Sequence, residues 1–300
     1  MKIIDIKTGF QCNNQCKFCI QEGKRFYKKN KTTEEIKEVL RCNSHEFEGI
    51  VFTGGEVTIR NDIFDIVKFA KDCGYKIIQI QSNGRMFSYM DFCKRMVEAG
   101  ATNFGLSIHG STKEMHEGLT RAEGSFEQTL QGIRNLRELR QPISTNSVIT
   151  KINYKDLPNI AKMVVGLKVL SYQFAFMHIN LKILENKDLI EEIVSRYKDI
   201  KPYVEEGLQI GIDNNIKSKV EAFPFCILNE KYHENISENY LPEAFIFEDD
   251  SMRDFTKMKK AGAKLKGENC KQCKFYEKCE GPWCDYPNIF GFDEFVPIKK

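Results

Sequence analysis

Three cysteines crowd one short stretch, Phe10 to Gln21, which reads FQCNNQCKFCIQ. Cys12, Cys16 and Cys19 follow a C-x3-C-x2-C spacing, tight enough for three sulfurs to share one inorganic group. Three thiolates can hold three corners of a cubane iron–sulfur cluster and leave the fourth iron open to an outside ligand. A structural zinc normally takes four protein ligands. Here Asn13, Asn14, Gln15 and Lys17 are poor fourth ligands and the nearest histidine is His45, so zinc and unrelated thiols are the weaker alternatives. A second group, Cys270-x2-Cys273-x5-Cys279-x4-Cys284, lies near the C terminus. Its spacing serves a four-cysteine zinc ribbon as well as an iron–sulfur cluster. Cys42, Cys73, Cys93 and Cys226 stand alone, and the first three, in or at the ends of expected helices, read as small buried hydrophobes.

The eleven cysteines read as ligands, thiols or catalysts rather than bridges, because the chain reads as cytoplasmic. Residues 1–10, MKIIDIKTGF, lack the apolar run of a signal peptide, and the most apolar region, Met163 to Leu184, is broken by Lys168, His178 and Lys182. With 41% hydrophobic and 29% charged residues and a net charge of +3, no global field favours a nucleic acid or a membrane as partner. The basic stretch GKRFYKKNKT (23–32) could meet an anionic peptide or nucleic acid, but a solvated loop accounts for it more simply.

The elements that must position these residues alternate. KIIDIK (2–7), GIVFT (49–53), KIIQIQ (76–81), NFGLSI (103–108), STNSVI (144–149) and SYQFAFM (171–177) suit buried strands. Helical periodicity predicts helices over 32–42, 63–73, 88–98, 126–138, 157–165 and 184–198. Six β-then-α units predict an α/β fold with a parallel sheet and right-handed crossovers, able to curl into a partial (β/α)6 TIM-like barrel. In such folds chemistry gathers beyond the C-terminal ends of the strands. That edge receives the cysteine motif after the first strand, Gly54-Gly55-Glu56 after the second, Ser82-Asn83-Gly84 after the third and His109-Gly110 after the fourth. After about residue 205 the rhythm changes. GLQIGIDN (207–214) reads as a strand or hairpin arm and EAFPFCIL (221–228) as an extended turn carrying Cys226. The expected division is a core of residues 1–205 and a small C-terminal module of residues 206–300.

On the cysteine motif with Phe18 before its last cysteine, on TGGEVTIR (53–60), QSNGRMF (81–87) and residues 105–136, the sequence resembles the radical S-adenosylmethionine (radical SAM) superfamily. Val57 stands where a proline is common in that family. The resemblance implies that Cys12, Cys16 and Cys19 hold a SAM-binding 4Fe-4S cluster. Such a cluster, reduced by a flavodoxin- or ferredoxin-type donor, cleaves SAM to a 5′-deoxyadenosyl radical that abstracts a substrate hydrogen. For SAM itself, Gly54 and Gly55 would let backbone approach the methionyl end and Glu56 would accept from its ammonium. Ser107 and Arg121 are candidates for the carboxylate, Arg121 for its planar fork. Ser82, Asn83 and Asn146 would lie near the ribose or sulfonium, and the main chain near Phe18 would meet the adenine. His109 and His178 end strands at the presumed mouth and are candidate catalytic residues, though a lone histidine is more often a satisfied core residue.

The C-terminal cysteines resemble the auxiliary-cluster module called twitch or SPASM. Five cysteines there are too few for two clusters, so one auxiliary 4Fe-4S cluster is expected on Cys226, Cys270, Cys273 and Cys279, with Cys284 the rival fourth ligand. Such a tail favours a peptide substrate, and a small molecule or nucleoside is the alternative. Because the first strand begins almost at Met1, a peptide would need a separate recognition adaptor or the barrel itself. The ending VPIKK lacks the Gly-Gly tail of the molybdenum-cofactor enzyme that the chain partly resembles. An iron–sulfur electron carrier or a zinc-stabilised RNA-binding protein is the distant, non-catalytic alternative.

Overall fold

Alternation of apolar and polar residues builds the sheet. In the computed structural model, which describes residues 2–179, 181–239, 243–248 and 251–299, the strands are β1 (Lys2–Lys7), β2 (Gly49–Thr53), β3 (Ile77–Ser82), β4 (Asn103–Ser107), β5 (Ile143–Ile149) and β6 (Ser171–Phe176). β7 (Lys217–Glu221), β8 (Glu243–Glu248) and β9 (Ser251–Asp254) follow. The sheet order is β7-β6-β5-β4-β3-β2-β1-β8-β9, parallel except for the β8–β9 pair. Ile4, Ile6, Ile50, Phe52, Ile78, Ile80, Phe104 and Leu106 are buried. The alternate residues Asp5, Lys7, Thr53, Gln81, Asn146 and Glu221 line a cavity. The expected partial barrel is thus present, and no pairing joins β7 to β8 or β9 among the described residues, so it stays open.

The helices Thr33–Asn43, Ile63–Asp72, Met90–Ala99, Ser125–Glu138 and Leu157–Gly166 match the expected ones within two residues at each end. The first opens on a capping box: Thr32 Oγ1 accepts from Glu35 N, and the Glu35 carboxylate accepts from Thr32 N. The helix expected over 184–198 is instead two, Lys187–Ile193 and Tyr197–Asp213. The second absorbs GLQIGIDN, which is therefore not a strand. Leu208 is fully buried while Ile212 is 44% exposed, so the apparent two-residue alternation does not sort into two faces. Gly207 and Gly211, one turn apart, let this helix lie against Phe174 of β6 and Ser218 of β7; a Cβ at either would come within 2.6 Å of those side chains.

The division expected between 205 and 206 falls inside this helix, and β7 to β9 extend the same sheet. The tail returns to the core through Tyr286, which packs on Tyr197 and Phe176. It is also held by buried charge. Lys264 Nζ pairs with Glu238 at 2.5 Å and Glu280 at 2.9 Å, and Lys259 pairs with Glu280 at 3.0 Å. Removing one member strands a buried carboxylate. Lys264→Met is expected to lower the unfolding free energy by about 3–5 kcal/mol, read from the denaturant midpoint at unchanged slope. Among the described residues no helix is long and apolar enough to cross a membrane.

Candidate active site

The cysteine loop is fixed by backbone crossings. Thr8 N donates to Thr53 O at 2.9 Å, Gly55 N to Gly9 O at 2.8 Å and Glu56 N to Gln11 O at 2.7 Å, which ties the exit of β1 to the exit of β2. Two glycines make this possible. A Cβ on Gly54, at φ +139°, would sit 2.2 Å from Gly9 O, and one on Gly55 would sit 2.2 Å from Gln11 O. The protein's own chain makes a close approach at these glycines, both of which also line the cavity. Beyond the crossing, Gln15 N and Lys17 N donate to the Thr120 and Leu119 carbonyls at the end of the helix Lys113–Thr120. Arg85 Nη1 clamps the Asn13 carbonyl at 2.5 Å.

Glu56 is a buried hub. Its Oε1 accepts from Thr58 N at 3.1 Å, Thr58 Oγ1 at 2.5 Å and Ser82 Oγ at 2.8 Å, and its Oε2 accepts from Asn83 N at 2.6 Å. Burial raises its carboxyl above the ordinary range, against these hydrogen bonds, which lower it. Ser82 and Asn83 are therefore already engaged by protein groups, Asn83 Nδ2 also donating to Asn13 Oδ1 at 2.6 Å.

These parts meet on one cavity of about 460 Å³. Cys12, Cys16 and Cys19 lie on its wall with Phe18, Gly54, Gly55 and Glu56. Ser82, Asn83, Ser107, Asn146, His109 and His178 line it as well. Arg121 does not. It is exposed, ends the helix Lys113–Thr120 in the left-handed region at φ 52°, and donates its N–H to Glu117 O, so the expected carboxylate fork stands outside the cavity. The guanidinium on the wall belongs to Arg25. His109 is buried edge-on to Phe18 at 4.7 Å, and its Nδ1 accepts from Val148 N at 3.2 Å. Burial, then His116, pushes its imidazole down to about 3, which keeps it neutral. His178 packs at 3.7 Å on Trp283 and is pushed down to about 4 by burial and then by Lys264.

Further wall residues escaped the sequence reading, among them Asp5, Lys7, Gln81, Glu221 and Trp283. The signal was there for three of them, Asp5, Lys7 and Gln81, since parallel strands covered on both faces read as nearly continuous apolar runs, whereas KIIDIK and IIQIQS alternate. Lys7 Nζ donates to Asp5 Oδ2 at 2.9 Å and Thr53 Oγ1 at 2.8 Å. Gln173 Nε2 donates to Glu221 Oε2 at 2.8 Å and approaches Asn146 Oδ1 at 3.3 Å. Burial, reinforced by Glu238, raises the Glu221 carboxyl to about 7.

The three thiols fit an iron–sulfur cluster by their donor set. Cys16 is pushed up to about 12 by burial and then by Cys19 and Cys12, so its sulfur lies close to the other two and takes negative charge more readily once a cationic group joins them. In the tail, Cys226, Cys270, Cys273 and Cys279 line one small hollow with Tyr276 and Phe295. Burial and then the other three sulfurs push Cys226 up to about 12. Phe225 stacks on Phe275 at 4.5 Å, bringing the turn that carries Cys226 against the Cys270–Cys279 loop. Cys284 lies outside that hollow, its Sγ 3.7 Å from Asp285 Oδ1. Among the described residues no three Cys, His, Asp or Glu side chains converge on a single-ion position. Lys271 pairs with Glu268 and Lys274 with Glu230 at the surface, so neither lysine is devoted to the hollow.

Comparison with known proteins follows the same lines. The family profile described as the Radical SAM superfamily matches residues 6–164. A probable GTP 3′,8-cyclase of Thermococcus kodakarensis is 33% identical over 144 residues, 47% of this chain and 45% of that protein. The corresponding protein of Methanocaldococcus jannaschii is 26% identical over 224 residues, 74% of this chain and 68% of its own. The chain spans about half the length of the first curated relatives it matches. The crystal structure of Streptococcus suis SuiB bound to S-adenosylmethionine superposes with a TM-score of 0.69 at 13% identity, over 99% of this chain and 76% of that one. SuiB bound to its precursor peptide SuiA superposes with a TM-score of 0.63 at 15% identity, over 82% of this chain and 57% of that one.

Proposed function

The chain belongs to the radical SAM superfamily, and on that premise we propose that it abstracts hydrogen from a peptide residue inserted into the cavity between the cysteine triad and Glu221. The observation that carries this is the sharing of one wall by three thiols, the Glu56 hub and a row of polar strand residues. A 4Fe-4S cluster on Cys12, Cys16 and Cys19 would supply the electron that cleaves SAM to the 5′-deoxyadenosyl radical. Glu56, with a single donor on Oε2 among the described residues, has capacity left for the methionyl ammonium. Four thiols on one hollow support an auxiliary 4Fe-4S cluster held by Cys226, Cys270, Cys273 and Cys279, with SAM and two clusters as the full cofactor set. The names of the curated relatives support a second reading, a nucleotide substrate, and the amide groups of Gln81 and Asn146 suit a base edge as well as a peptide. A flavodoxin- or ferredoxin-type donor, and for a peptide substrate a separate recognition adaptor, belong to this proposal.

The test is anaerobic. Protein reconstituted with iron and sulfide, reduced with dithionite and given SAM should release 5′-deoxyadenosine, and Cys16→Ala protein should release none above background. Cluster-loaded wild type that makes none, beside an active control enzyme, would sink the radical reading. Stimulation by GTP and not by peptides would move the substrate to the nucleotide class.

After a hydrogen atom has gone to the 5′-deoxyadenosyl radical, passage of a second electron from the substrate radical to the auxiliary cluster would release a proton, and Glu221, on the cavity wall, would accept it. A base must be deprotonated, so substrate turnover should rise with pH up to about 7 and then level. In Glu221→Gln protein that rise should vanish and coupled turnover should fall by about 10²-fold or more, while SAM cleavage without substrate persists. Stability carries the same signature with its own sign. Between the ordinary 4.5 and about 7 the folded state binds more protons than the unfolded, so this group's contribution falls as pH rises through that window, and Glu221→Gln should flatten the slope.

A further inference from the structure

Arg25 comes from the basic stretch that read as a solvated loop, yet it turns inward. It sits in the short helix Lys24–Tyr27, whose Lys24 pairs with Glu248 and whose Phe26 and Tyr27 are exposed. Its Nη1 donates to Asn14 O at 2.8 Å, between the first two cysteines, and its Nη2 approaches Cys19 Sγ at 3.8 Å. Its Nε–H is buried and finds no acceptor among the described residues, on the wall that carries the three thiols. A guanidinium keeps its charge at any working pH and presents several N–H groups in a rigid fork. Near thiolates at a part-buried position such a cation is screened less than in bulk water.

From this geometry we infer that Arg25 is the fixed countercharge of the Cys12–Cys16–Cys19 site, favouring cluster uptake and setting the reduction potential of the bound cluster. The inference rests on the radical SAM reading. Cluster potentials respond to net charge, solvent exposure and hydrogen bonds to the sulfurs. Adding an electron beside three thiolates is opposed by their charge, and a cation 3.8 Å from one of them offsets that opposition. Arg25 is thus a positioning and electrostatic residue, acting through the cysteines rather than on substrate.

The experiment is an EPR-monitored redox titration of the reconstituted protein without SAM, this cluster being identified as the signal missing from Cys16→Ala protein. In Arg25→Gln the ratio of reduced to oxidised cluster at a fixed potential should fall about tenfold, a shift of about 59 mV to lower potential for one electron. Arg25→Lys, which keeps charge without the fork, should shift less. Arg25→Gln protein that keeps its circular dichroism but takes up no iron, while Arg25→Lys does, also supports the countercharge. A ratio in Arg25→Gln within about threefold of wild type, a shift in Arg25→Lys as large as in Arg25→Gln, or loss of iron from both folded variants overturns it. Changed SAM affinity at unchanged potential overturns it too and assigns Arg25 to the cofactor's carboxylate. Because the potential is read without SAM, cluster-loaded wild type that makes no 5′-deoxyadenosine refutes the radical reading and leaves the Arg25 result standing.

Discussion

Gly55→Ala protein is expected to fold, to hold little iron at the N-terminal site and to form 5′-deoxyadenosine at least about a hundredfold more slowly than wild type. The reason is backbone against backbone. A Cβ at Gly55 would meet Gln11 O at 2.2 Å and Phe10 O at 2.5 Å, and neither carbonyl can rotate away as a flexible side chain could. Relief requires residues 10 and 11 to move, and Cys12 is the next residue. The bonds Gly55 N to Gly9 O and Glu56 N to Gln11 O would be strained together, so the sulfur and the Glu56 hub would be displaced by one event. Displacements near 1 Å at a reacting centre cost about two orders of magnitude. Gly118→Ala is the control: its Cβ meets nothing within 4 Å on an exposed helix face, so iron and rate should stay at wild-type values. Iron per chain and 5′-deoxyadenosine by chromatography decide the matter. Wild-type values in Gly55→Ala would mean that the crossing tolerates movement without disturbing the triad.

Cys279→Ala and Cys284→Ala should separate cleanly despite being five residues apart. On the proposed complement of two clusters per chain, Cys279→Ala is expected to lose up to about half of the iron and sulfide, and Cys284→Ala essentially none. Cys279 lines the hollow with Cys226, Cys270 and Cys273, whereas Cys284 stands beside Asp285 outside it. Cys226→Ala should behave like Cys279→Ala, because the Phe225–Phe275 stack delivers that sulfur from 44 residues before Cys270. Iron, sulfide and zinc are measured on protein purified without air. Full iron in Cys279→Ala with loss in Cys284→Ala would reverse the ligand set, and stoichiometric zinc in the wild-type hollow would replace the auxiliary cluster with a structural ion.

Features set by neighbours along the chain could be read without the fold. The C-x3-C-x2-C loop, the strand alternation and most helices depend on spacing and periodicity, and the parallel sheet follows from the β/α rhythm. The placement of Gly-Gly-Glu on the same edge as the cysteines followed from the rule that loops after parallel strands share a face. Features set by partners distant in sequence could not. Arg121 and Arg25 look alike on paper, but one ends a helix in solvent while the other is turned inward by the docking of the cysteine loop on the helix Lys113–Thr120. Glu221 acquires its raised pKa only when the strand KSKVE, unremarkable by composition, pairs with β6 and brings the carboxylate onto the cavity wall near Glu238. Trp283 reaches the cavity wall because the Lys264 ion network and Tyr286 fold the tail back on the barrel. Spacing declares which atoms can bind a cluster, while burial and long-range contact settle which charges face it, and those depend on the whole chain being packed.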